Sequence, residues 1–290
     1  MIKFITDSAS DIPAQYEQEL DIDIMPIPIT IEETGYYERR DFTPDEFYEI
    51  LNNSEKIPVT SHINIIQFGE KYKEIYKAGY DEIIHVTISS TGSTMFESAK
   101  TAREMFYKED ETLRSKVKIH IIDSKTYSYG YGLAVINGAK MAREGKNIDE
   151  ILDYMNDYFK RVEIYFSVFS LRYAKKSGRI GVAESFVGEM LGLRPVISII
   201  DGKMKIEDKI RGDKNIPVKL AQVMKTRMDI ISNEYGIIVG SDEKIGEELY
   251  KICKKQKDKK YIGTVKVGAS IAINSGPEVL GIVFLGRQRK

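Results

Sequence analysis

The most constraining feature of the sequence is a repeated order of a short apolar strand, a polar loop and an amphipathic helix. Residues 83–88 predict a strand, residues 89–93 are small or polar, and apolar residues recur over 96–106 at the spacing of a helix. Residues 3–6 and 118–123 begin further units of the same kind. Strands that alternate with helices form a parallel sheet with helices on both faces, so the first half predicts a doubly wound sheet.

Capping and turn residues predict the remaining elements of the first half. Thr43-Pro44-Asp45-Glu46 has the spacing of a capping box with proline at the first helical position, which predicts a helix from Pro44 to about Asn53. Isoleucines alternate over residues 21–31, and the two prolines of this segment favour an edge strand. Further helices are predicted over residues 65–76, 129–143 and 149–160.

The second half of the sequence, from Glu163 onwards, lacks the regular alternation of strands and helices. Asp201-Gly202 stands between two strand-like segments and predicts a hairpin. Further strands are predicted over 236–239, 260–267 and 279–284, and helices over 183–191, 214–229 and 243–255. We therefore expect an α/β protein of two lobes, with a ligand between them. The N-terminal lobe (1–160) has a doubly wound, mostly parallel sheet, and the C-terminal lobe (161–290) is α+β.

Composition argues against several function classes. The 43 basic and 44 acidic side chains give a formal charge of −1, which removes the usual electrostatic argument for a nucleic-acid partner. The single cysteine, Cys253, cannot form an internal disulfide, and three histidines (His62, His85 and His120) are too few to favour a structural zinc site. The lone cysteine and the strand-like opening Ile2-Lys3-Phe4-Ile5, which differs from a signal peptide, favour a cytoplasmic protein. No stretch approaches the roughly 18 apolar residues of a membrane span. Because GxxxxGK[ST] and GxSxG are absent, we also expect no cofactor and no hydrolase elbow.

Two loops are rich in hydroxyl groups: Thr60-Ser61 and Ser89-Ser90-Thr91-Gly92-Ser93. Each hydroxyl can donate a hydrogen bond to a carboxylate oxygen. At a helix N-terminus it acts together with free backbone N–H groups and the positive end of the helix dipole. The loops therefore indicate a site for an anionic head group. Serine and threonine are also the preferred helix caps, so Ser93 as an N-cap and Thr60-Ser61 as a turn remain an open alternative.

These loops belong to a set of motifs that resembles the DegV family. The motifs occur in the family's order along essentially the whole chain: Ile5-Thr6-Asp7-Ser8-Ala9-Ser10-Asp11-Ile12-Pro13, Thr60-Ser61, Ser89-Ser90 with Ser93 and Phe96-Glu97-Ser98-Ala99, Ile122-Asp123-Ser124, Gly178-Arg179-Ile180, Arg194-Pro195-Val196-Ile197 with Asp201-Gly202, Arg211-Gly212, and Gly276-Pro277 with Gly281. A single motif is a weak signal, whereas eight in register are specific.

The resemblance implies a two-lobed protein that binds a long-chain fatty acid between its lobes. The best understood DegV proteins are binding subunits of bacterial fatty-acid kinase, in which a separate ATP-dependent subunit phosphorylates the carboxylate of the bound acid. By this resemblance the chain is a carrier and not an enzyme. Thr60 and Ser93 would bind the carboxylate, with Ser61 nearby. Arg179 and Arg211 match arginines of the head-group end, which would hold phosphate or contact the kinase.

Three departures from the family pattern concern polar residues of the implied site. His62 stands where the family has glutamine in Thr-Ser-Gln-Pro, and Thr94 follows Ser93 where the family has glycine. Near the C-terminus the family carries a histidine before its Gly-Pro turn, whereas this chain has Asn274 at the matching position. Asparagine donates a hydrogen bond but never becomes cationic, so any charge-based role of that histidine in phosphate transfer is missing.

Two apolar sets are candidates for the walls of an acyl channel. They are Val187, Met190, Leu191 and Leu193, and Ile63, Ile65, Ile66 and Phe68. An ordinary core position is the alternative for each of them. Tyr127, Tyr129 and Tyr131 form an aromatic stripe that predicts either a loop over the cleft or tyrosines at the edge of the core.

Two other functions remain open on the sequence. A serine-dependent acyl hydrolase would use Ser61 or Ser93 as nucleophile with His62 as base. A lipid sensor would bind the same ligand without a kinase partner.

Overall fold

The structure is a computed structural model that describes residues 1–181 and 192–287. Its strands are β1 (Ile2–Asp7), β2 (Ile22–Met25), β3 (Pro28–Ile31), β4 (Thr34–Tyr37), β5 (Val59–Thr60), β6 (Glu82–Thr87), β7 (Lys118–Asp123), β8 (Val162–Val168), β9 (Leu193–Ile200), β10 (Lys203–Arg211), β11 (Glu234–Val239), β12 (Lys260–Lys266) and β13 (Val279–Leu285). Its helices are α1 (Ala14–Glu19), α2 (Pro44–Asn53), α3 (Ile65–Lys77), α4 (Met95–Glu109), α5 (Leu113–Lys116), α6 (Tyr129–Arg143), α7 (Ile148–Arg161), α8 (Leu171–Ser177), α9 (Ile216–Arg227), α10 (Glu243–Cys253) and α11 (Ala269–Ser275). The predicted helix over 183–191, with Val187, Met190 and Leu191, lies outside the described residues.

The first lobe is built on a parallel sheet with strand order β2-β1-β6-β7. β1 and β6 are buried at every position after the first. Burial of this kind is typical of parallel strands that helices cover on both faces. The predicted N-terminal sheet is therefore confirmed, and α6 has the predicted bounds to the residue.

The segment 21–31, which was predicted as one edge strand, forms two strands in different sheets. β2 lies at the edge of the parallel sheet, whereas β3 is the central strand of a small antiparallel sheet with order β4-β3-β5. The chain leaves the first sheet at Pro26, which has no N–H to continue a ladder. Pro28 is tolerated because it occupies the first position of its strand.

The second lobe contains a six-stranded mixed sheet with order β10-β9-β8-β13-β11-β12. Only the β11–β12 pair is parallel among the described pairs of this sheet. The predicted hairpin joins β9 to β10, and both turn residues have positive φ, +50° at Asp201 and +74° at Gly202. Such φ angles match the right-handed twist of the two strands. These two sheets confirm the predicted α/β fold of two lobes.

The two faces of the six-stranded sheet pack against different parts of the molecule. Tyr165 and Ile237 belong to an apolar cluster that includes residues of α9 and α10. Ile164, Phe166 and Ile238 face the other side, towards the first lobe. Because side chains alternate across a strand, one sheet completes a core and also forms the wall of a cavity.

No helix in the described ranges is long and apolar enough to cross a membrane.

Candidate functional site

A cavity of about 700 Å³ lies between the two lobes. Its polar lining includes six of the residues singled out from the sequence: Thr60, Ser61, His62, Ser93, Arg179 and Asn274. Its apolar lining includes Ile164, Phe166, Ile199, Met204, Ile238 and Val279. The cavity therefore combines hydroxyl, imidazole, guanidinium and amide groups with an apolar wall, which is the composition of a small-molecule site.

Arg211 is not among the cavity-lining residues. It is exposed at the end of β10, and its carbonyl oxygen accepts a hydrogen bond from Asn215 Nδ2 at 2.7 Å. The predicted place of Arg211 at the head-group end is therefore not supported by this geometry, because β10 reaches the cavity at Met204, near the opposite end of the strand. A contact between Arg211 and a partner protein remains a prediction.

The first hydroxyl loop is held by its backbone. Thr60 pairs with Ile29 in the small sheet, and the N–H of Ser61 donates to the carbonyl of Pro28 at 2.8 Å. Within the described ranges, neither hydroxyl has a hydrogen-bond partner in the protein. Both hydroxyls are therefore available to a ligand in the cavity.

The second hydroxyl loop combines the two interpretations that the sequence left open. Thr94 is the residue before α4 and makes no side-chain cap, whereas Ser93 Oγ accepts a hydrogen bond from the N–H of Met95 at 3.2 Å. Ser93 therefore assists the helix start, although it is not the N-cap itself. A hydroxyl can accept and donate at once, so the hydrogen of Ser93 remains available to a ligand.

The same loop is tied to both lobes. Ser90 donates to Asp123 from its N–H at 3.0 Å and from its hydroxyl at 2.5 Å. Thr91 Oγ1 donates to the carbonyl of Gly202 in the β9–β10 turn at 2.9 Å. Tyr127 lines the cavity beside this loop, so this tyrosine fits the expectation of a loop over the cleft. Tyr129 is instead buried in the core.

Among the described apolar candidates, the core alternative holds for Ile63 and Phe68, and the channel interpretation is not supported. Ile63 and Phe68 are fully buried in the core, Ile66 is exposed, and none of Ile63, Ile65, Ile66, Phe68 and Leu193 lines the cavity. Helical periodicity identified a core face, whereas strands of the six-stranded sheet supply six of the apolar residues that line the cavity.

Asn274 and Arg179 occupy different environments at the polar side of the cavity. The amide of Asn274 donates to the carbonyl of Ser270 at 2.6 Å within α11, so one of its two N–H groups is already used. Arg179 is exposed, and its guanidinium donates to the carbonyl of Ser177 at 2.9 Å. No carboxylate in the described ranges forms an ion pair with Arg179.

Three carboxyl groups that no sequence pattern marked as buried lie next to the cavity wall: Asp7, Asp11 and Glu38. Asp7 accepts from Tyr131 Oη at 2.5 Å and from the N–H of Ile88 at 3.0 Å. Burial raises the pKa of Asp7 to about 6. The motif that contains Asp7 and Asp11 was visible in the sequence, but its acidic residues gave no sign of burial.

Asp11 and Glu38 receive hydrogen bonds from both lobes. Asp11 Oδ1 accepts from the N–H of Gly268 at 2.8 Å, and Asp11 Oδ2 accepts from the hydroxyl of Ser128. The N–H of Ser270 donates to Glu38 at 2.9 Å, and the hydroxyl of Ser270 donates to the same carboxylate at 2.5 Å. Burial raises the pKa of Asp11 to about 8, and the nearby Glu38 charge acts in the same direction. Ser128 and Ser270 both line the cavity, so the acids support its wall.

Comparison with known proteins identifies the family. A family model described as an uncharacterised protein of the DegV family matches residues 1–287. The chain belongs to the DegV family. A DegV domain-containing protein from Clostridium acetobutylicum is 31% identical to it over 98% of both chains.

Solved DegV structures share its fold. A fatty acid (stearic acid)-binding protein from Eubacterium ventriosum matches with a TM-score of 0.89 and 23% identity over 99% of both chains. A DegV family protein from Thermus thermophilus, described by its fatty-acid binding, matches with a TM-score of 0.86 and 23% identity over 98% of this chain and 99% of that one. These similarities establish the DegV fold for the chain.

Proposed function

We propose that this DegV chain is a cytoplasmic carrier that binds a long-chain fatty acid between its lobes, 1–160 and 161–290. The carboxylate binds at Thr60 and Ser93, with Ser61 and His62 beside them, and the acyl chain lies along the apolar wall. The observation that carries the proposal is one cavity in which free hydroxyls and an apolar sheet face meet. The two structurally similar proteins described above as fatty-acid-binding support the same ligand class.

The size and lining of the cavity favour a ligand held mainly by its tail. A volume of about 700 Å³ lies within the roughly 300–1,000 Å³ of small-molecule sites. Burial of a sixteen-carbon chain at about 0.8 kcal/mol per CH₂ contributes on the order of 10 kcal/mol before entropy costs. The head group therefore needs orientation more than strong neutralisation.

Neutral hydroxyls suit a carboxylate that must react. A bidentate arginine would hold the carboxylate strongly, whereas hydroxyls leave an oxygen able to attack. In the proposed reaction a carboxylate oxygen forms a bond to the γ-phosphorus of ATP, and the bond to the β-phosphate bridging oxygen breaks, which releases ADP. A separate kinase subunit supplies ATP and this chemistry, so the chain itself is not an enzyme.

Three further residues have proposed roles on the phosphate side. Arg179 is positioned to hold the transferred phosphate, and Arg211 is available only for contact with the kinase because it lies outside the cavity. Asn274 supplies its remaining N–H group and carries no positive charge.

Ligand analysis of the purified protein tests the proposal most directly. Native mass spectrometry followed by organic extraction is expected to find a bound fatty acid. The free acid is also expected to bind more tightly than its methyl ester, because the ester lacks the anionic head group. Equal affinities for the acid and the ester would contradict the assigned head-group site.

Two experiments separate the alternatives. Within the described ranges no hydrogen bond joins His62 to Ser61 or Ser93, so the hydrolase lacks a positioned base. Incubation with an acyl thioester followed by denaturing mass spectrometry is expected to show no acyl adduct on serine, and such an adduct would defeat the carrier proposal. Reconstitution with ATP and a fatty-acid kinase subunit is expected to yield acyl phosphate, whereas a sensor without a kinase partner would yield none.

A further inference from the structure

A chain of hydrogen bonds connects the cavity wall to a buried carboxyl group. Ser128 lines the cavity and donates its hydroxyl hydrogen to Asp11, which also accepts from the backbone N–H of Gly268 in the other lobe. Asp11 is 6% exposed and Ser128 is 4% exposed. Both groups are mostly buried, although Asp11 also borders a second cavity with Glu38 and Arg39. Neighbouring protein groups and the cavity contents therefore largely determine where the hydrogen atoms of the pair lie.

The backbone of this pair is also unusual. Asp11 has a φ of +50° and Ser128 a φ of +52° with ψ of −142°, although neither residue is glycine. Side chains disfavour these angles, and such residues persist where the surrounding structure imposes them, often at functional sites. Asp11 and Ser128 both have positive φ and are joined by a hydrogen bond, so the surrounding structure fixes the geometry of this pair.

We propose that Asp11 carries a proton when an anionic ligand occupies the cavity, and that this proton makes Ser128 an additional hydrogen-bond donor to the ligand carboxylate. A neutral Asp11 donates its O–H to Ser128 Oγ, which frees the serine hydrogen for the cavity. An ionised Asp11 needs that hydrogen itself and adds a negative charge near the ligand. Asp11 is thus a positioning residue that acts through Ser128, and the inference rests on the proposed function.

The surroundings of Asp11 favour this protonated state. Burial, together with the Glu38 charge, raises the pKa of Asp11 to about 8, although the hydrogen bonds from Ser128 and Gly268 and the charge of Arg39 act in the opposite direction. The pKa values of Tyr48 and Tyr131 are raised by burial, so both phenols stay neutral in the relevant range. Among the described residues, the other charged or titratable groups around Asp11 and on the cavity lining are Asp7, Glu17, Arg40, Lys266, His62, Glu97, Tyr127 and Arg179.

Linkage makes the proposal measurable. If a bound anion raises the proton affinity of Asp11, a proton raises the affinity for the anion by the same factor. Calorimetry of laurate binding to the unmodified 290-residue chain, between about pH 7 and 9.5 in buffers of different ionisation enthalpy, is expected to show proton uptake near pH 8. The affinity is expected to fall roughly tenfold across this range, which corresponds to a coupling of one pKa unit.

The variant Asp11→Asn reproduces the protonated state permanently. Its amide can donate to Ser128 Oγ while its oxygen accepts from Gly268, and asparagine tolerates positive φ. We expect this variant to lack the fall in laurate affinity that the wild type shows as the pH rises through about 8. The titration of laurate itself is common to both proteins and cancels in their ratio.

Two further variants complete the test. Ser128→Gly removes the hydroxyl and accepts the positive φ, and we expect a laurate affinity about five- to tenfold lower with an unchanged affinity for methyl laurate. Asp7→Asn is a matched control, because Asp7 accepts from Tyr131 and backbone N–H groups but from no cavity-lining side chain in the described ranges. This control is expected to retain the pH dependence of the wild type.

The outcomes distinguish this inference from the proposed function. Laurate binding with the same pH dependence in wild type and Asp11→Asn, or without proton uptake by the wild type, would overturn the role of Asp11. Absence of laurate binding at every pH would overturn the proposed function and this inference together. Because proton uptake is measured on the unmodified protein, a variant that fails to fold does not remove the test.

Discussion

At the scale of single residues, the candidate site uses oxygen atoms that already interact with the protein and can still interact with a ligand. Ser93 Oγ accepts a hydrogen bond from Met95, which determines its position, and its hydrogen is available to the cavity. Asp11 and Glu38 are acceptors whose burial is compensated by serine hydroxyls and backbone N–H groups. The polar side of the cavity is thus preorganised before a ligand binds.

Replacement of Ser93 by alanine removes one donor to the ligand carboxylate. We expect Ser93→Ala to weaken fatty-acid binding by about 1–2 kcal/mol, the value of one charge-assisted hydrogen bond, without loss of the fold. Ser98→Ala, one turn further along α4 and outside the cavity lining, is the matched control and should leave binding unchanged. Titration calorimetry checks both values, and an equal effect on the methyl ester would argue against a head-group role.

The raised pKa of Asp11 predicts how stability depends on pH. The carboxyl ionises near its ordinary pKa when unfolded and at about 8 when folded. Its contribution to stability is therefore fully present below the ordinary value and is lost as the pH rises through about 8. Urea unfolding should show a fall in wild-type stability over this range and a flatter profile for Asp11→Asn, which we expect to be about 1–3 kcal/mol more stable than wild type at pH 9. Parallel profiles would contradict the assignment.

At the scale of elements, close packing between helix α6 and the turn over Ser8–Ser10 holds the acidic motif in place. A Cβ at Gly132 would overlap the carbonyl oxygen of Ser10, which belongs to the backbone and cannot move independently. The glycine therefore permits the approach that places Ser128, at the start of α6, beside Asp11.

Alanine at two helical glycines separates packing from helix propensity. Gly132→Ala is expected to lower the free energy of unfolding by about 1–3 kcal/mol, because the added methyl group forces the turn away from α6. Gly69→Ala in α3 meets no atom within 4 Å and should raise the free energy of unfolding by about 0.5–1 kcal/mol. Thermal or urea unfolding measures both, and a destabilised Gly69→Ala would show that the comparison is unsound.

At the scale of the whole molecule, polar contacts hold the two lobes around the cavity. Thr91 donates to the carbonyl of Gly202, and the N–H of Gly202 donates to the carbonyl of Lys125 at 2.7 Å. Lys125 and Asp201 also form an exposed ion pair at 3.1 Å. On the opposite side, Asp11 and Glu38 of the first lobe accept hydrogen bonds from the start of α11 in the second.

Two of these interlobe contacts are expected to differ in their effect on ligand release. Thr91→Val removes the donor to Gly202, and a loss of about 1 kcal/mol corresponds to roughly fivefold faster release of a fatty acid. Asp201→Asn removes only the exposed ion pair and keeps a residue that tolerates positive φ, so release should be nearly unchanged. Stopped-flow displacement measures both rates, and equal acceleration would show that the Thr91 contact has no special role.

The sequence by itself determined the order and type of most elements, the β9–β10 hairpin, the two-lobe fold and six residues of the cavity lining, Thr60 and Ser93 among them. These features follow from periodicity, capping and turn chemistry, which act over a few neighbouring residues, and from motifs of the family. Only the tertiary structure decided that Arg211 lies outside the cavity and that the acyl wall comes from alternate strand residues such as Ile164 and Ile238. It also decided that Asp11 is buried against Ser128 and Gly268, because burial depends on contacts between residues far apart in the chain, which no local pattern records.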